Sequence, residues 1–493
     1  MSNKEFQLSE AVRTPSRFRN PISKYRLNRS NDCIACGKCV EICSYGVHVK
    51  RRGKVYVKNH YLCVGKDCEN PCHKACPVNA LSLKRNPTFD ALGDFRWPPD
   101  LLASTWYMAE FGKMPPGGLE YKLGASKGGF DKLRIIMKKQ GGDHKENGDH
   151  DVDVSVKLNR RDDNAHRVRI EVPFYGGGMS YGSVSISTML SRMKAAKALG
   201  TFCCTGEGGY PDELKPYDDN VITQVATGLF GVREETVQRV KIVEFKYAQG
   251  AKPGLGGHLL GDKVTPGVAR MREAVVGYPL FSPFPFHSVY SVEDHKKHVD
   301  WIKSMNPQAL VSVKVSTPTD VDMVAVGSYY AGAHIIHLDG SYGGTGAAPE
   351  IAKKNIAMPI EYAVPKVHKF LTEEGARDKI TVIASGGIRN PHDVAKIIAL
   401  GADGVCTGTA DMVALECVRC HNCESGRGCA RGIATTDPEL MELMEIEWGT
   451  QRIINMFLAW RKELVRILRR LGMKSIKELV GRTDCLVHLD YMD

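Results

Sequence analysis

The sequence predicts an α/β chain of two unequal parts, a small cysteine-rich α+β unit near the N-terminus and a large closed barrel of eight parallel strands alternating with helices. Three observations predict it. Twelve of the sixteen cysteines fall into three tight blocks. From about residue 168 onward, short β-branched runs alternate with helical stretches. Glycine-rich segments recur just after those runs, where a barrel gathers its site-forming loops.

The first two cysteine blocks read Cys33-x2-Cys36-x2-Cys39-x3-Cys43 and Cys63-x4-Cys68-x3-Cys72-x3-Cys76-Pro77. In a two-cluster ferredoxin the fourth cysteine of each run ligates the other cluster. That rule pairs Cys33, Cys36 and Cys39 with Cys76, and Cys63, Cys68 and Cys72 with Cys43. Each set offers four soft thiolates to one [4Fe-4S] centre, so the chain must fold back on itself. Structural zinc also takes four thiolates, but usually as two CxxC pairs across a longer loop; three cysteines at two-residue intervals fit a cubane better. Disulfides fit poorly in a long chain with no apolar signal segment at its start, and thiols so closely spaced point to a reducing, cytoplasmic setting. The second run departs from the simplest ferredoxin pattern, with x4 and x3 where two x2 gaps are usual.

The third block, Cys417-x2-Cys420-x2-Cys423-x5-Cys429, lies far downstream, just before Gly432-Ile433-Ala434-Thr435. Cys203, Cys204, Cys406 and Cys485 read as buried small hydrophobes.

At 493 residues and 43% hydrophobic content the chain can bury one small and one large core, and no stretch approaches a membrane span. The formal charge of +11 is spread, except that Arg13, Arg17, Arg19, Lys24, Arg26 and Arg29 occur without an intervening acid. A basic surface near a cluster would steer an acidic electron donor. A solvated N-terminal arm is the other reading, and no nucleic-acid motif accompanies the charge.

Along the chain this gives a basic arm over residues 1–29, a 2[4Fe-4S] ferredoxin-like domain over 30–88, a connecting region over 89–166 and the barrel over 167–493. Within the connecting region Gly141 to Asp153 reads as a solvated, mobile loop in which His144 and His150 lie among aspartates. Eight strands are expected at Val168–Val172, Thr201–Cys204, Ile242–Tyr247, Leu280–Ser282, Leu310–Val315, His334–Leu338, Ile380–Ala384 and Val405–Thr407. They make a TIM (β/α)8 barrel. At their C-terminal ends stand Met179-Ser180-Tyr181-Gly182-Ser183, Thr205-Gly206-Glu207-Gly208-Gly209, Gln249 to Gly254, Lys314, Gly343-Gly344-Thr345-Gly346, Ser385-Gly386-Gly387 and Gly408-Thr409. Loops after strands seven and eight commonly hold a phosphate, where glycine backbone N–H groups approach the dianion closely. Such loops, in a chain carrying one-electron centres, point to FMN, the usual converter between single electrons and a hydride. Ile453, Phe457, Trp460, Leu464, Ile467 and Leu471 recur at helical spacing and predict a C-terminal helix packed on the barrel's outside.

From about residue 170 to 490 the chain resembles the FMN-binding synthase domain of glutamate synthase. The ordered motifs are Met179 to Ser183, Thr205 to Gly209, Gln249-Gly250-Ala251-Lys252-Pro253-Gly254, Ser282-Pro283, Ser312-Val313-Lys314, Gly343-Gly344-Thr345-Gly346-Ala347, the third cysteine block leading into Ala434 to Leu440, and Gly481-Arg482-Thr483-Asp484. With its ferredoxin unit the chain is similar to the short, archaeal-type subunit. The resemblance implies an oxidoreductase with FMN in the barrel, a [3Fe-4S] or [4Fe-4S] cluster beside it, and reduction of 2-iminoglutarate, formed from 2-oxoglutarate and ammonia, to L-glutamate. It implies that Lys314 stands by the flavin ring, Glu207 contacts substrate and moves protons at its nitrogen, and Gln249 and Lys252 meet substrate carboxylates, with Arg272 a further candidate. Met179, Ser180, Tyr181, Gly343, Gly344, Thr345, Ser385, Gly386, Gly387, Gly408 and Thr409 complete the cofactor set.

Three features depart from the family. No glutaminase nucleophile precedes Cys33, so ammonia would come from solution or a separate glutaminase subunit. Cys420 adds a fourth thiol to a block that usually has three. His258 replaces the usual glutamine, which leaves the acceptor open, as in an N-methylglutamate synthase. A non-catalytic electron-relay subunit of a larger redox complex is a separate alternative. With no nicotinamide site evident, electrons would come from reduced ferredoxin or an NAD(P)H-oxidising partner subunit.

Overall fold

In the computed structural model, residues 7–18, 21–116, 129–137, 152–343, 345, 348, 350–424 and 427–491 are described. Eight parallel strands close a barrel in sequence order: β1 Phe174–Gly176, β2 Cys203–Cys204, β3 Val221–Ala226, β4 Ile242–Lys246, β5 Leu310–Ser316, β6 Ile335–Asp339, β7 Thr381–Ser385 and β8 Gly404–Thr407. Every residue of β6 and β7 is buried, as near-continuous apolar runs between a filled interior and a helical coat should be. Helices follow the strands, with starts set by side-chain caps such as Ser185 on Thr188 N–H and Asn390 on Asp393 N–H.

Six of the eight expected strands belong to the barrel, and two do not. The run at Val168–Val172 contributes only Arg169–Ile170, which pairs antiparallel with Val156–Lys157 in a ribbon across the barrel's N-terminal end, where Thr381 Oγ1 donates to the Leu158 carbonyl. The first barrel strand is Phe174–Gly176 instead. Leu280–Phe281 pairs antiparallel with His258–Leu259, forming a hairpin in the long β4–β5 connection. The strand missed by pattern is Val221–Ala226: a 3-10 segment, Asp212–Asn220, stands where the helical rhythm requires an α-helix, so the alternation skips it.

In the cysteine-rich unit, Tyr25–Arg29 pairs antiparallel with Leu81–Arg85, bringing the two ends of the unit together, around an inner hairpin of His48–Arg51 and Lys54–Val57. The N-terminal basic run is not simply solvated. Lys24 is buried, its Nζ 2.7 Å from both Asp67 and Asp100, and Arg17 donates to the Leu415 and Arg431 carbonyls of the barrel. His144 and His150 lie outside the described residues.

Two helices pack on the barrel, and one of them also reaches the cysteine-rich unit. The C-terminal helix Ile446–Leu471 buries Ile453, Phe457, Trp460, Leu464, Ile467 and Leu471, as their spacing predicts, and Phe457 stacks on Phe174 of β1 at 4.6 Å between ring centres. Helix Pro99–Phe111, in the connecting region, gives Leu101, Leu102 and Met108 to the barrel core and Tyr107 to the core of the cysteine-rich unit. At about 1.5–3 kcal/mol for each large apolar side chain buried, these contacts hold both units against one helix.

Candidate active site

The C-terminal ends of the strands open onto a cavity of about 310 Å³. Strand alternation aims its floor. Residues two apart on a strand face the same way, so Glu244 and Lys246, Ser312 and Lys314, and His337 and Asp339 point inward as pairs. Deepest is Glu244, fully buried, which accepts from Gln224 Nε2 at 2.8 Å, Ser312 Oγ at 3.0 Å and His337 Nδ1 at 3.0 Å. His337 Nε2 lies 2.8 Å from Ser385 Oγ, and that hydroxyl donates to Asp339. Carboxylates only accept, so the ring donates through both nitrogens. Asp339 Oδ2 in turn accepts from Gly250 N–H at 2.9 Å and lies 3.6 Å from Lys314 Nζ.

The charges of this floor reinforce one another. Burial resists ionisation of Glu244, but His337 and Lys314 hold it ionised and bring its pKa down to about 2. Burial would likewise strip Lys314 of its proton, yet Asp339 and Glu244 keep it above the usual lysine range. The result is a fixed cation at the cavity floor.

Around it, loops from separate strands meet closely. Gly206, at φ +75°, lies so near the β1 loop that an added Cβ would sit 2.7 Å from Ser180 N; only glycine permits that approach. At Gly386, with φ +95°, an added Cβ would likewise sit 2.5 Å from the Gly340 carbonyl oxygen. The β8 loop is tied to the β1 loop by buried Arg192, which donates to the Gly177 carbonyl at 2.6 Å and to Asp411 at 3.1 Å. Thus Met179, Ser180, Gly343, Thr345, Ser385, Gly386, Gly387, Gly408 and Thr409 all border the cavity. Tyr181 does not: it packs on the Leu259, Val264 and Val268 cluster instead, because the turn to Val184 aims it outward. Gly344 lies outside the described residues.

On the mouth side stand Glu207, Gln249, Lys252, His258 and Arg272. Burial works against ionisation of Glu207, but Lys246, 3.2 Å away, with Ser282 and Arg272, holds it below the usual carboxylate range. It is therefore an acceptor. One of its oxygens, Oε1, is buried without a hydrogen-bond partner, as is Arg272 Nε. Lys252 is depressed to about 8 by burial and by Lys246. Burial and nearby Lys252 also lower His258, which keeps its ring neutral. Arg272 Nη2 is committed to Ser180 Oγ at 2.9 Å and the Tyr181 carbonyl at 3.0 Å.

The same cavity is bordered by Cys417, Cys423 and Cys429, while Cys420 is exposed and stands apart from it. Lys263 Nζ donates to the Cys423 carbonyl at 2.7 Å and Arg419 pairs with Asp94, fixing the cysteine loop from both sides. In the small unit, Cys33, Cys36, Cys39 and Cys76 surround one small void and Cys43, Cys63, Cys68 and Cys72 another, in the two sets that the crossed ferredoxin rule gives. Among the described residues no three His, Cys, Asp or Glu side chains converge on a point that would hold a single metal ion. No helix among the described residues is long and apolar enough to cross a membrane.

Residues that spacing did not reveal are Gln224, Glu244, Lys246, His337 and Asp339. Their signal was a polar residue at alternate positions within otherwise apolar strands, as in Ile-Val-Glu-Phe-Lys and Ile-Ile-His-Leu-Asp.

Residues 125–474 match the family model described as the conserved region in glutamate synthase. The chain is 38% identical to the archaeal-type glutamate synthase [NADPH] of Thermotoga maritima over 479 residues, covering 92% of each chain. It is 36% identical to the archaeal glutamate synthase [NADPH] of Methanocaldococcus jannaschii, covering 92% of this chain and 93% of that one. Identity to the glutamate synthase [NADPH] large chain of Azospirillum brasilense is 35%, over 65% of this chain but 22% of that longer one. With its eight-stranded barrel, its cavity and these matches along nearly its whole length, the chain belongs to the glutamate synthase family of oxidoreductases.

Proposed function

We propose that this chain is an iron–sulfur flavoprotein that forms L-glutamate from 2-oxoglutarate and ammonia, by reduction of 2-iminoglutarate in the barrel mouth. The observation that carries the reading is the shared cavity, in which glycine loops, the buried cation Lys314 and three cysteine thiols border one space. FMN, when bound, supplies the conversion between single electrons and a hydride. The residues fit it: Ser385, Gly386, Gly387, Gly408 and Thr409 would hold its phosphate by close backbone approach, with Met179, Ser180, Gly343 and Thr345 beside them.

Lys314 keeps positive charge on the cavity floor, where it stabilises negative charge that develops during reduction. Lys252 and Gln249 meet the substrate's carboxylates, and Arg272 braces the β1 loop from behind. Glu207, ionised and with one free oxygen, accepts from the substrate nitrogen and turns the imine carbon toward the floor. Its place among Lys246, Ser282 and Arg272 suits a hydrogen-bond acceptor rather than a proton donor.

Each cysteine quartet of the small unit would hold a [4Fe-4S] cluster, and Cys417, Cys423 and Cys429 a further, three-ligand cluster next to the flavin. Electrons would come from reduced ferredoxin or from an NAD(P)H-oxidising partner subunit, in the cytoplasm, and ammonia from solution or a separate glutaminase subunit. Anaerobically purified chain, given dithionite-reduced ferredoxin, 2-oxoglutarate and ammonium, should release L-glutamate. Protein that carries flavin and iron yet forms no amino acid from any oxo acid with ammonia or methylamine overturns the reading and leaves an electron relay.

A further inference from the structure

Arg29 closes the first strand of the cysteine-rich unit and His48 opens its inner hairpin; the two side chains meet between the cysteine quartets. Arg29 Nη1 donates to Cys33 Sγ at 3.1 Å, and Nη2 to Cys39 Sγ at 3.5 Å. The second hydrogen on Nη2 faces His48 Nδ1 at 3.3 Å. On the far side of the ring, His48 Nε2 lies 3.3 Å from Cys72 Sγ, a thiol of the other quartet.

A guanidinium has donors and no acceptor, so Nδ1 must accept, and the ring proton sits on Nε2, aimed at Cys72. His48 is 3% exposed, so bulk solvent does not compete for its ring nitrogens. One unbroken line of donors thus runs from Cys33 and Cys39 through Arg29 and His48 to Cys72.

We propose that Arg29 and His48 form a donor bridge that sets the reduction potentials of both cluster sites of the small unit together. Arg29 acts on the first site by contact and on the second as a positioning residue, by fixing which nitrogen of His48 carries the proton. Hydrogen bonds to ligand sulfur, and nearby positive charge, stabilise the extra negative charge of a reduced cluster and raise its potential. The first site receives two N–H groups and a full cation, the second a single neutral N–H. The inference rests on the reading that the two quartets hold clusters.

The test is an EPR-monitored redox titration of the anaerobically purified full chain, with iron content measured alongside and the Cys417–Cys429 cluster as internal standard. R29M should shift both small-unit potentials negative, and H48F only that of the Cys43, Cys63, Cys68 and Cys72 site, while the potential of the Cys417–Cys429 cluster stays unmoved. H48Q, whose amide restores an N–H, should recover part of the second shift. If R29M fails to assemble clusters, R29K takes its place, since it keeps the charge but loses the fork, and the second-site potential should still fall. Iron at the wild-type level with unmoved small-unit potentials overturns the bridge alone. Wild-type protein whose only iron is that of the Cys417–Cys429 cluster overturns the cluster reading and the bridge with it.

Discussion

Lys314 Nζ lies 3.6 Å from Asp339 Oδ2 on the cavity floor, and both side chains are nearly sealed from solvent. Asp339 is held in turn by Ser385 and by Gly250 N–H, so the lysine cannot swing without breaking a chain of contacts that ends at Glu244. A cation so fixed costs little reorganisation when negative charge develops beside it.

Replacing Lys314 with Met should lower kcat by about two to three orders of magnitude, the usual effect of deleting one preorganised electrostatic contact. It also leaves Asp339 and Glu244 without their shared cation, a loss of about 3–5 kcal/mol for breaking a buried pair. Stopped-flow reduction and a denaturation midpoint on the same preparation separate the two effects. Unchanged kcat would remove Lys314 from the chemistry.

Lys252, depressed to about 8, carries its charge below that pH and loses it above. A lysine that receives a substrate carboxylate binds in its charged form, so KM for 2-oxoglutarate should rise steadily as pH climbs past about 8, with kcat nearly flat. In Lys252→Arg the guanidinium stays charged, and the rise should vanish from a KM–pH profile taken from about 7 to about 9.5.

Glu207→Gln preserves shape but strands Lys246, its partner at 3.2 Å. Turnover should drop by about 10²-fold, in the range of one lost preorganised charged contact, while flavin and iron content hold. Steady-state assays with cofactor analysis read this out. A variant that keeps full turnover would relieve Glu207 of its role.

Within the third cysteine block only Cys420 is exposed and away from the cavity. Cys420→Ser should therefore retain wild-type iron and the EPR signal of the barrel cluster, whereas Cys423→Ser should lose both. Loss of iron in Cys420→Ser would mean a four-ligand cluster.

Arg192 joins the β1 and β8 loops through the Gly177 carbonyl and Asp411, all buried. Arg192→Met should destabilise the barrel by about 3–5 kcal/mol, since it takes the cation from buried Asp411 and leaves it the Thr407 hydroxyl. Chemical denaturation followed by tryptophan fluorescence reports it.

Cysteine spacing pointed to the two sets of four thiols that surround the two small voids, because side chains that converge on one point from a short segment must recur at short intervals. The glycine loops were legible for the same reason: a close backbone approach, as at Gly206, forbids any side chain. The third barrel strand was hidden because the connection before it is 3-10 rather than α, and Val168–Val172 misled because a β-branched run fits a ribbon below the barrel as well as a stave within it. Glu244 and His337 escaped notice because one buried polar residue in an apolar strand looks like any other until the partner strands are known. Lys24 and Arg17 show that a basic run need not be a solvated one; what pairs with each lies 43 or more residues away.

Helix Pro99–Phe111 is shared by two hydrophobic interiors, with Tyr107 in one and Leu101, Leu102 and Met108 in the other. The modules on either side of it are therefore welded, and charge would have to cross a constant gap instead of riding a swinging arm. Turnover in glycerol or sucrose should accordingly be insensitive to solvent viscosity, once any slowing of substrate diffusion is allowed for.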